Sequence, residues 1–322
     1  MTDRRSFLIG AAALGTSIGV RAQPAPALRI GWISYTAPGA ALIAFQEGLR
    51  ALGYSGKSDV GIEIRVVEPT PEQVRAAIEE LQALPVALIV AQAAVGPVAH
   101  RANAGRIPLV FAFSGDPVVA GMVESYARPG GNTTGMSLMA LELVGKRFEV
   151  MKAIAPRVQR VAILANPQHP GEQSEQRASF DAAQRLAVQT AYVQILPGES
   201  PDSAFDQIRR ERVQGIVVFQ DAGMVARAAS IAEFALKEKL LAVSGWSQFA
   251  HAGFVATYGP DLIEVYRRLA GYIDRLLKGA RAADLPVELP TRVALAINVK
   301  TAKALGLTIP QSLLVRADEV IQ

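Results

Sequence analysis

Short apolar runs and amphipathic stretches alternate along most of the chain. "LRIGWISY" (28–35) is almost continuously apolar, as a strand buried on both faces must be, and "GAALIAFQEGLRALGY" after it repeats its apolar positions at helical spacing. "GIEIRVVE" (61–68) predicts a second strand, and "PEQVRAAIEELQAL" (71–84) a helix opened by Pro71 near its first turn. "VALIVAQ" (86–92), a helix over "VGPVAHRANAG" and "IPLVFAFS" (107–114) continue the series. Strand–helix alternation of this kind predicts a parallel sheet with right-handed crossovers.

The pattern then starts again. "RVAILAN" (160–166) is followed by a helix over "SEQRASFDAAQRLAVQ", then by "TAYVQIL", "SAFDQIRRERVQ", "GIVVFQD", "VARAASIAEFALKEK" and "LLAVSGW" (240–246). The order of elements repeats without any letter-for-letter repeat, so two α/β domains of similar topology are expected, with a boundary near 135–145. The tail holds a strand ("GFVATYGP", 253–260), a long amphipathic helix ("DLIEVYRRLAGYIDRLLKG"), and a strand and helix in "RVALAINVKTAKALG". These pieces need a sheet to join, which predicts a chain that crosses between two lobes more than once.

Composition narrows the function classes. Half of the 322 residues are hydrophobic and 19% are charged, which suits a globular chain of two domains. The formal charge of +4 comes from 33 basic and 29 acidic residues; setting aside residues 1–22 removes Arg4, Arg5, Arg21 and Asp3 and leaves a near balance. Basic residues are scattered among acids, as in "EVYRRLAGYIDRLLKGARAAD", so no nucleic-acid surface is expected. The chain has no cysteine, which excludes disulfides, thiolate catalysis and a lipid-bearing amino-terminal cysteine. Its start, "MTDRRSFLIGAAALGTSIGVRAQPAPA", has a basic pair, an apolar run from Phe7 to Val20 and small residues at Val20 and Ala22. That predicts a signal peptide over 1–22, cleaved after about Ala22, and so a periplasmic protein. Asp3-Arg4-Arg5-Ser6-Phe7-Leu8 resembles the twin-arginine motif.

"PGGNTTGMS" (129–137) has the glycine spacing of a phosphate-binding loop, but Met136 stands where that loop needs lysine. It also lies at the end of the first half of the chain, not between a first strand and its helix.

In a parallel sheet, ligands collect beyond the carboxyl ends of strands. Applied to the expected strands, this selects Ser34, Tyr35 and Thr36; Gln92, Ala93 and Ala94; Ser114 and Asp116; Asn166, Gln168 and His169; and Asp221 and Trp246. Several have a structural alternative. Thr36, Asp116 and Asp221 each precede a helical stretch and could cap it, and the cap is favoured for Asp116. Trp246 could stack on a flat ligand or close the cleft. The three histidines, His100, His169 and His251, are isolated from acids at ligand spacing, so no metal site is expected. No cofactor is expected either. No G-x-S-x-G elbow, H-E-x-x-H or Ser–His–Asp grouping emerges, so no catalytic residue is assigned.

Two long blocks carry a resemblance. "SGDPVVAGMVESYARPGGNTTGMS" (114–137) and the tail from "YGPDLIEVYRRLAGYIDRLLKG" to "IPQSLLVRADEVIQ" are similar to the ABC transporter substrate-binding proteins related to the tryptophan-binding type. The resemblance spans residues 28–322. It implies a type I periplasmic-binding-protein fold: two Rossmann-like lobes with parallel sheets, joined by a three-crossing hinge. Lobe one would hold 28–138 and 259–284, and lobe two 139–258 and 285–322. It implies a monomer that clamps a small molecule between its lobes and meets an ABC permease at the membrane. The acid at Asp221 would face a ligand's ammonium group. Family members often carry Thr-Pro after the third strand, where this chain has "AQAAVG", leaving Gln92 and backbone N–H groups. On this scheme Gly130, Gly131, Asn132, Thr134 and Gly135 form a hinge crossing, with glycines for the sharp turn and Gly135 for close passage to the opposite lobe. The competing classes are a ligand sensor docking to a membrane receptor and an exported α/β enzyme.

Overall fold

The computed structural model describes residues 28–37, 39–54, 59–68, 70–139 and 141–322. The signal-peptide and twin-arginine expectations fall on residues 1–22, outside the described residues.

Five strands form the first sheet: β1 (Leu28–Ser34), β2 (Val60–Val66), β3 (Leu88–Gln92), β4 (Leu109–Phe113) and β5 (Thr133–Ser137), in the order β2-β1-β3-β4-β5 and all parallel. Three helices follow its strands: α1 (Ala40–Ala51), α2 (Pro71–Gln82) and α3 (Val95–Asn103). The second sheet takes β6 (Arg160–Ala165), β7 (Gln189–Gln194), β8 (Gly215–Val218), β9 (Leu241–Ser244), β10 (Ala256–Pro260), β11 (Val293–Asn298) and β12 (Glu319–Ile321), in the order β12-β11-β10-β9-β8-β6-β7. Only the β10–β11 pairing is antiparallel. Its helices are α4 (Val144–Ile154), α5 (Glu172–Arg185), α6 (Asp202–Glu211), α7 (Ala222–Ala226), α8 (Ala228–Lys237) and α9 (Ser247–Ala252). Helix α10 (Leu262–Leu277) returns to the first lobe, and α11 (Val299–Ala304) and α12 (Gln311–Arg316) finish the second.

Apolar strands dictate the layers. All five residues of β4 and all four of β8 and β9 are buried, so helices must cover both faces. Helix α10 covers the first sheet with Val265, Tyr266, Leu269 and Ile273, and Tyr266 packs beside Trp32 of β1, ring centres 5.9 Å apart. It also runs close against α1, because Gly48 has no side chain: a Cβ there would stand 2.3 Å from the Arg267 carbonyl oxygen. The start of α2 shows local sequence logic. Thr70 accepts the Gln73 N–H at 3.3 Å and Pro71 takes the first helical position. Thr70→Ala is therefore expected to cost about 1 kcal/mol in urea unfolding.

The chain passes from one sheet to the other after β5, between β10 and α10, and before β11. Two passages differ from the sequence expectation by a few residues. Gly259 and Pro260 remain in β10 of the second sheet, whose register with β11 holds to Val293. Leu285–Glu288 stays on the first sheet: Thr134 Oγ1 donates to the Leu285 carbonyl at 2.6 Å, and Glu288 N–H donates to the Gly135 carbonyl at 3.1 Å.

The hinge expectation for "PGGNTTGMS" needs correction. The turn lies within the first lobe, at Gly130, whose φ is +88°, and Asn132 fastens it by donating to the Gly105 carbonyl at 3.0 Å. Thr133–Ser137 is a fully buried strand, so Thr134 and Gly135 belong to a sheet, not to a flexible crossing. The close passage that requires Gly135 is to the neighbouring strand: a Cβ would stand 2.1 Å from the Phe111 carbonyl oxygen of β4. The crossing itself comes after Ser137, where Met139 takes a left-handed φ of +51°.

Candidate functional site

Carboxyl ends of strands from both sheets surround a cavity of about 540 Å³ between the lobes. Tyr35 and Thr36 reach it from β1, Ala93 and Ala94 from β3, Asn166, Gln168 and His169 from β6, and Asp221 from β8. A second chamber of about 220 Å³ shares Tyr35, Thr36, Ala93, Ala222 and Ala226 with the first and continues under Trp246 and the start of α10. The two chambers differ in chemistry. Arg101, His169, Asp221 and Arg227 line the first. Among the described residues no charged one lines the second, whose walls include Leu138, Val225, Leu262, Ile263, Tyr266 and Trp246, with Gln92 and Gln248 as its amides.

Asp221 sits at the turn from β8 into α7 and takes both roles open to it in sequence. Its Oδ1 caps α7 by accepting the Met224 N–H at 3.0 Å. Its Oδ2 is buried and finds no hydrogen-bond partner among the described residues. A buried carboxylate oxygen without a donor is costly; it is closed off from the cavity that Asp221 lines, so an ammonium group there would satisfy it once the side chain turns outward. On the first lobe, α3 begins without a side-chain cap, at Ala94, and Ala93 adopts a left-handed φ of +52°. The Ala93 N–H donates to the Ala112 carbonyl at 2.7 Å and the Gly96 N–H to the Ala93 carbonyl at 3.1 Å, and Pro97 has none, so the N–H groups this helix start can offer are those of Ala94 and Val95. Tyr35 lies between the chambers, and burial pushes its hydroxyl up to about 12, so it is a neutral donor or acceptor.

Two expected contacts are placed elsewhere. Ser34 is fully buried and its hydroxyl donates to the Thr36 carbonyl at 2.8 Å, so it shapes the turn and does not line the cavity. Ser114 is likewise buried and is engaged with His169, Oγ to Nε2 at 2.8 Å. Asp116 accepts N–H groups from Val118 and Val119, a capping role at a turn. His100 bonds Thr133 and His251 pairs with Glu319, both away from the cavity.

Close to Asp221 lies a buried arginine–glutamate pair that sequence reasoning missed. Arg147 of α4 is completely buried; its Nη1 donates to Glu175 of α5 at 3.1 Å and its Nε to the Tyr258 carbonyl of β10 at 3.2 Å. Burial pushes the Glu175 carboxyl up to about 8, against the pull of Arg147, and the negative charges of Asp221 and Glu172 push the same way. Nothing in "VGKRFEVMKAI" or "EQSEQRASFDAAQR" marks these two as interior, since both stretches carry several charges.

Residues 32–321 match the family described as ABC transporter substrate binding protein. The chain belongs to that family. A curated member, the tyrosine-binding protein of Clostridioides difficile (strain R20291), is 24% identical over 204 residues, which cover 62% of this chain and 57% of that one. The chain thus spans under two thirds of that relative. Among solved structures, an ABC domain from Streptococcus pneumoniae in complex with L-Trp has a TM-score of 0.81 at 23% identity, covering 91% of this chain and 99% of its own. A conserved domain protein from Vibrio cholerae gives 0.83 at 22% identity, with the same coverage. The two-lobed α/β fold of this substrate-binding protein is that of the periplasmic binding proteins.

Proposed function

We propose that this substrate-binding protein is an exported receptor that captures an amino acid with a large apolar side chain and delivers it to an ABC importer. The carrying observation is the division of the cleft: a charged chamber with the unpartnered Asp221 Oδ2 beside it, opening into an uncharged one. The ammonium group binds at Asp221, the carboxylate at the uncapped start of α3, and the side chain under Trp246. The names of the relatives support this reading, since one is a tyrosine-binding protein and another was solved with L-Trp. A ligand that touches both lobes favours the closed arrangement, the state a permease can recognise.

A thermal-shift screen of the mature protein against the L-amino acids and simple carboxylates tests this. At a hundredfold excess over Kd a ligand stabilises by about 2.7 kcal/mol, which raises the melting temperature by several degrees. Aromatic and large aliphatic amino acids are expected to do so, and arginine and aspartate are not. If only carboxylates without an amine raised it, Asp221 would not be an ammonium site. Turnover of a solute, with no shift from any, would end the receptor reading.

A further inference from the structure

At one end of the cleft the two lobes touch through protein atoms alone. Ser114 follows β4 of the first sheet and His169 follows β6 of the second, and Nε2 of the histidine lies 2.8 Å from the serine Oγ. The other ring nitrogen, Nδ1, accepts the Gly171 N–H at 3.1 Å. That second bond sets the tautomer: an accepting Nδ1 carries no proton, so Nε2 bears it and donates to Ser114. The imidazole also stacks near Phe113, the last residue of β4, with ring centres 6.1 Å apart and planes 18° from parallel. Beside it the backbones of Gly115 and Gly171 meet directly. A Cβ on Gly171 would stand 2.7 Å from the Gly115 Cα.

We infer that Ser114 and His169 form an interlobe clasp, in which His169 is a positioning residue that holds the lobes together while neutral and releases them when protonated. A second proton would sit on Nδ1 and set two donors, it and the Gly171 N–H, against each other. The surrounding charges are mixed. Asp221, from the turn after β8, favours the imidazolium. On α5, Glu172 is engaged with the Tyr192 hydroxyl and Glu175 with Arg147. Arg101 of α3 and Arg227 after α7 line the same cavity and oppose a further positive charge, while Tyr35 is neutral. Asp116 follows Ser114 by two residues and is turned to its own backbone N–H groups.

Burial outweighs the pull of Asp221 and holds the clasped His169 below the usual histidine range. When the lobes part, the ring is hydrated and returns toward about 6.5. The clasped state is therefore fully favoured above that value and loses ground as pH falls below it. A ligand ammonium at Asp221 would cancel the carboxylate's support for the imidazolium, so capture and deprotonation of His169 reinforce each other. That last link rests on the proposed ligand; the clasp does not.

Spin labels test the clasp without any solute. The chain has no cysteine, so Glu72→Cys and Gln173→Cys, exposed in the first turns of α2 and α5, would carry a unique label pair across the cleft. Pulsed dipolar spectroscopy is expected to show a predominant short interlobe distance at pH 8. The ratio of short to long distances should fall by pH 5, by up to about thirtyfold, since the parted state gains up to tenfold for each pH unit below about 6.5. His169→Gln keeps a side-chain N–H for Ser114 but cannot titrate, so its distribution should be the same at both pH values. Ser114→Ala should lose part of the short population at pH 8. An unchanged wild-type distribution between pH 8 and pH 5 would overturn the clasp, and so would a glutamine variant that follows the wild-type profile. Circular dichroism melts of each protein separate opening from unfolding; if the glutamine variant fails to fold, His169→Asn supplies the non-titrating control, which separates His169 from Glu175, whose carboxyl is raised to about 8. Failure to find an amino-acid ligand leaves this result unaffected.

Discussion

Asp221→Asn is expected to weaken binding of an L-amino acid by about thirtyfold while moving the melting temperature of the free protein little. Asparagine caps a helix about as well as aspartate, so the bond from Met224 N–H to the side-chain oxygen survives. What it loses is the negative charge offered by Oδ2, which has no partner among the described residues. A hydrogen bond to a charged group contributes about 2 kcal/mol, and each 1.4 kcal/mol is about a factor of ten in Kd. Titration calorimetry with L-tryptophan, L-tyrosine and L-leucine reads the change directly. Asp221→Ala separates the two roles, because it also removes the cap and should cost about 1 kcal/mol of stability. Wild-type affinity in the asparagine variant would show that the ammonium group binds elsewhere.

Gly135→Ala should destabilise the chain by about 3 kcal/mol or more, at the upper end of overpacking costs. The added methyl would meet the Phe111 carbonyl oxygen at 2.1 Å and the Phe111 nitrogen at 2.6 Å, both backbone atoms of β4. Neither can retreat without breaking the ladder that joins β4 to β5. The other edge is no freer, since Glu288 N–H donates to the Gly135 carbonyl. Gly131→Ala is the control: it sits in the same motif, nothing lies within 4 Å of its would-be Cβ, and its cost should stay within about 0.5 kcal/mol. Urea unfolding of the pair measures the difference. Similar costs at both positions would mean that the motif acts as a turn and not as a strand.

That contrast shows what the residue pattern conveys and what it hides. Strands such as "VALIVAQ" and "GIVVFQD" announce themselves because a strand covered on both faces must be apolar throughout. β5 does not, because "TTGMS" is small and half polar. It is buried only because β4 and the returning segment 285–288 close over its two sides, with Thr134 satisfied by a carbonyl 151 residues away. The strand-end rule brings Tyr35, Gln92, Ala93, Asn166, His169, Asp221 and Trp246 to the cavity walls. It cannot tell that Ser34 turns to its own backbone and that Ser114 is taken up by His169 of the other lobe, since that depends on which way each side chain points. The Arg147–Glu175 pair escapes sequence altogether: its partners lie on different helices and look like ordinary solvated charges.

The placement of α10 limits how the gene can be divided. The helix packs along α1, yet the chain reaches it only after the first five strands of the second sheet have been laid down. A fragment ending at Ser137 would encode β1 to β5 without the cover for Leu42, Phe45 and Leu49 of α1, and a fragment beginning there would carry an orphaned amphipathic helix. A single exchange between two related genes cannot transfer an intact lobe. Moving one requires three junctions, one at each crossing: after β5, between β10 and α10, and before β11.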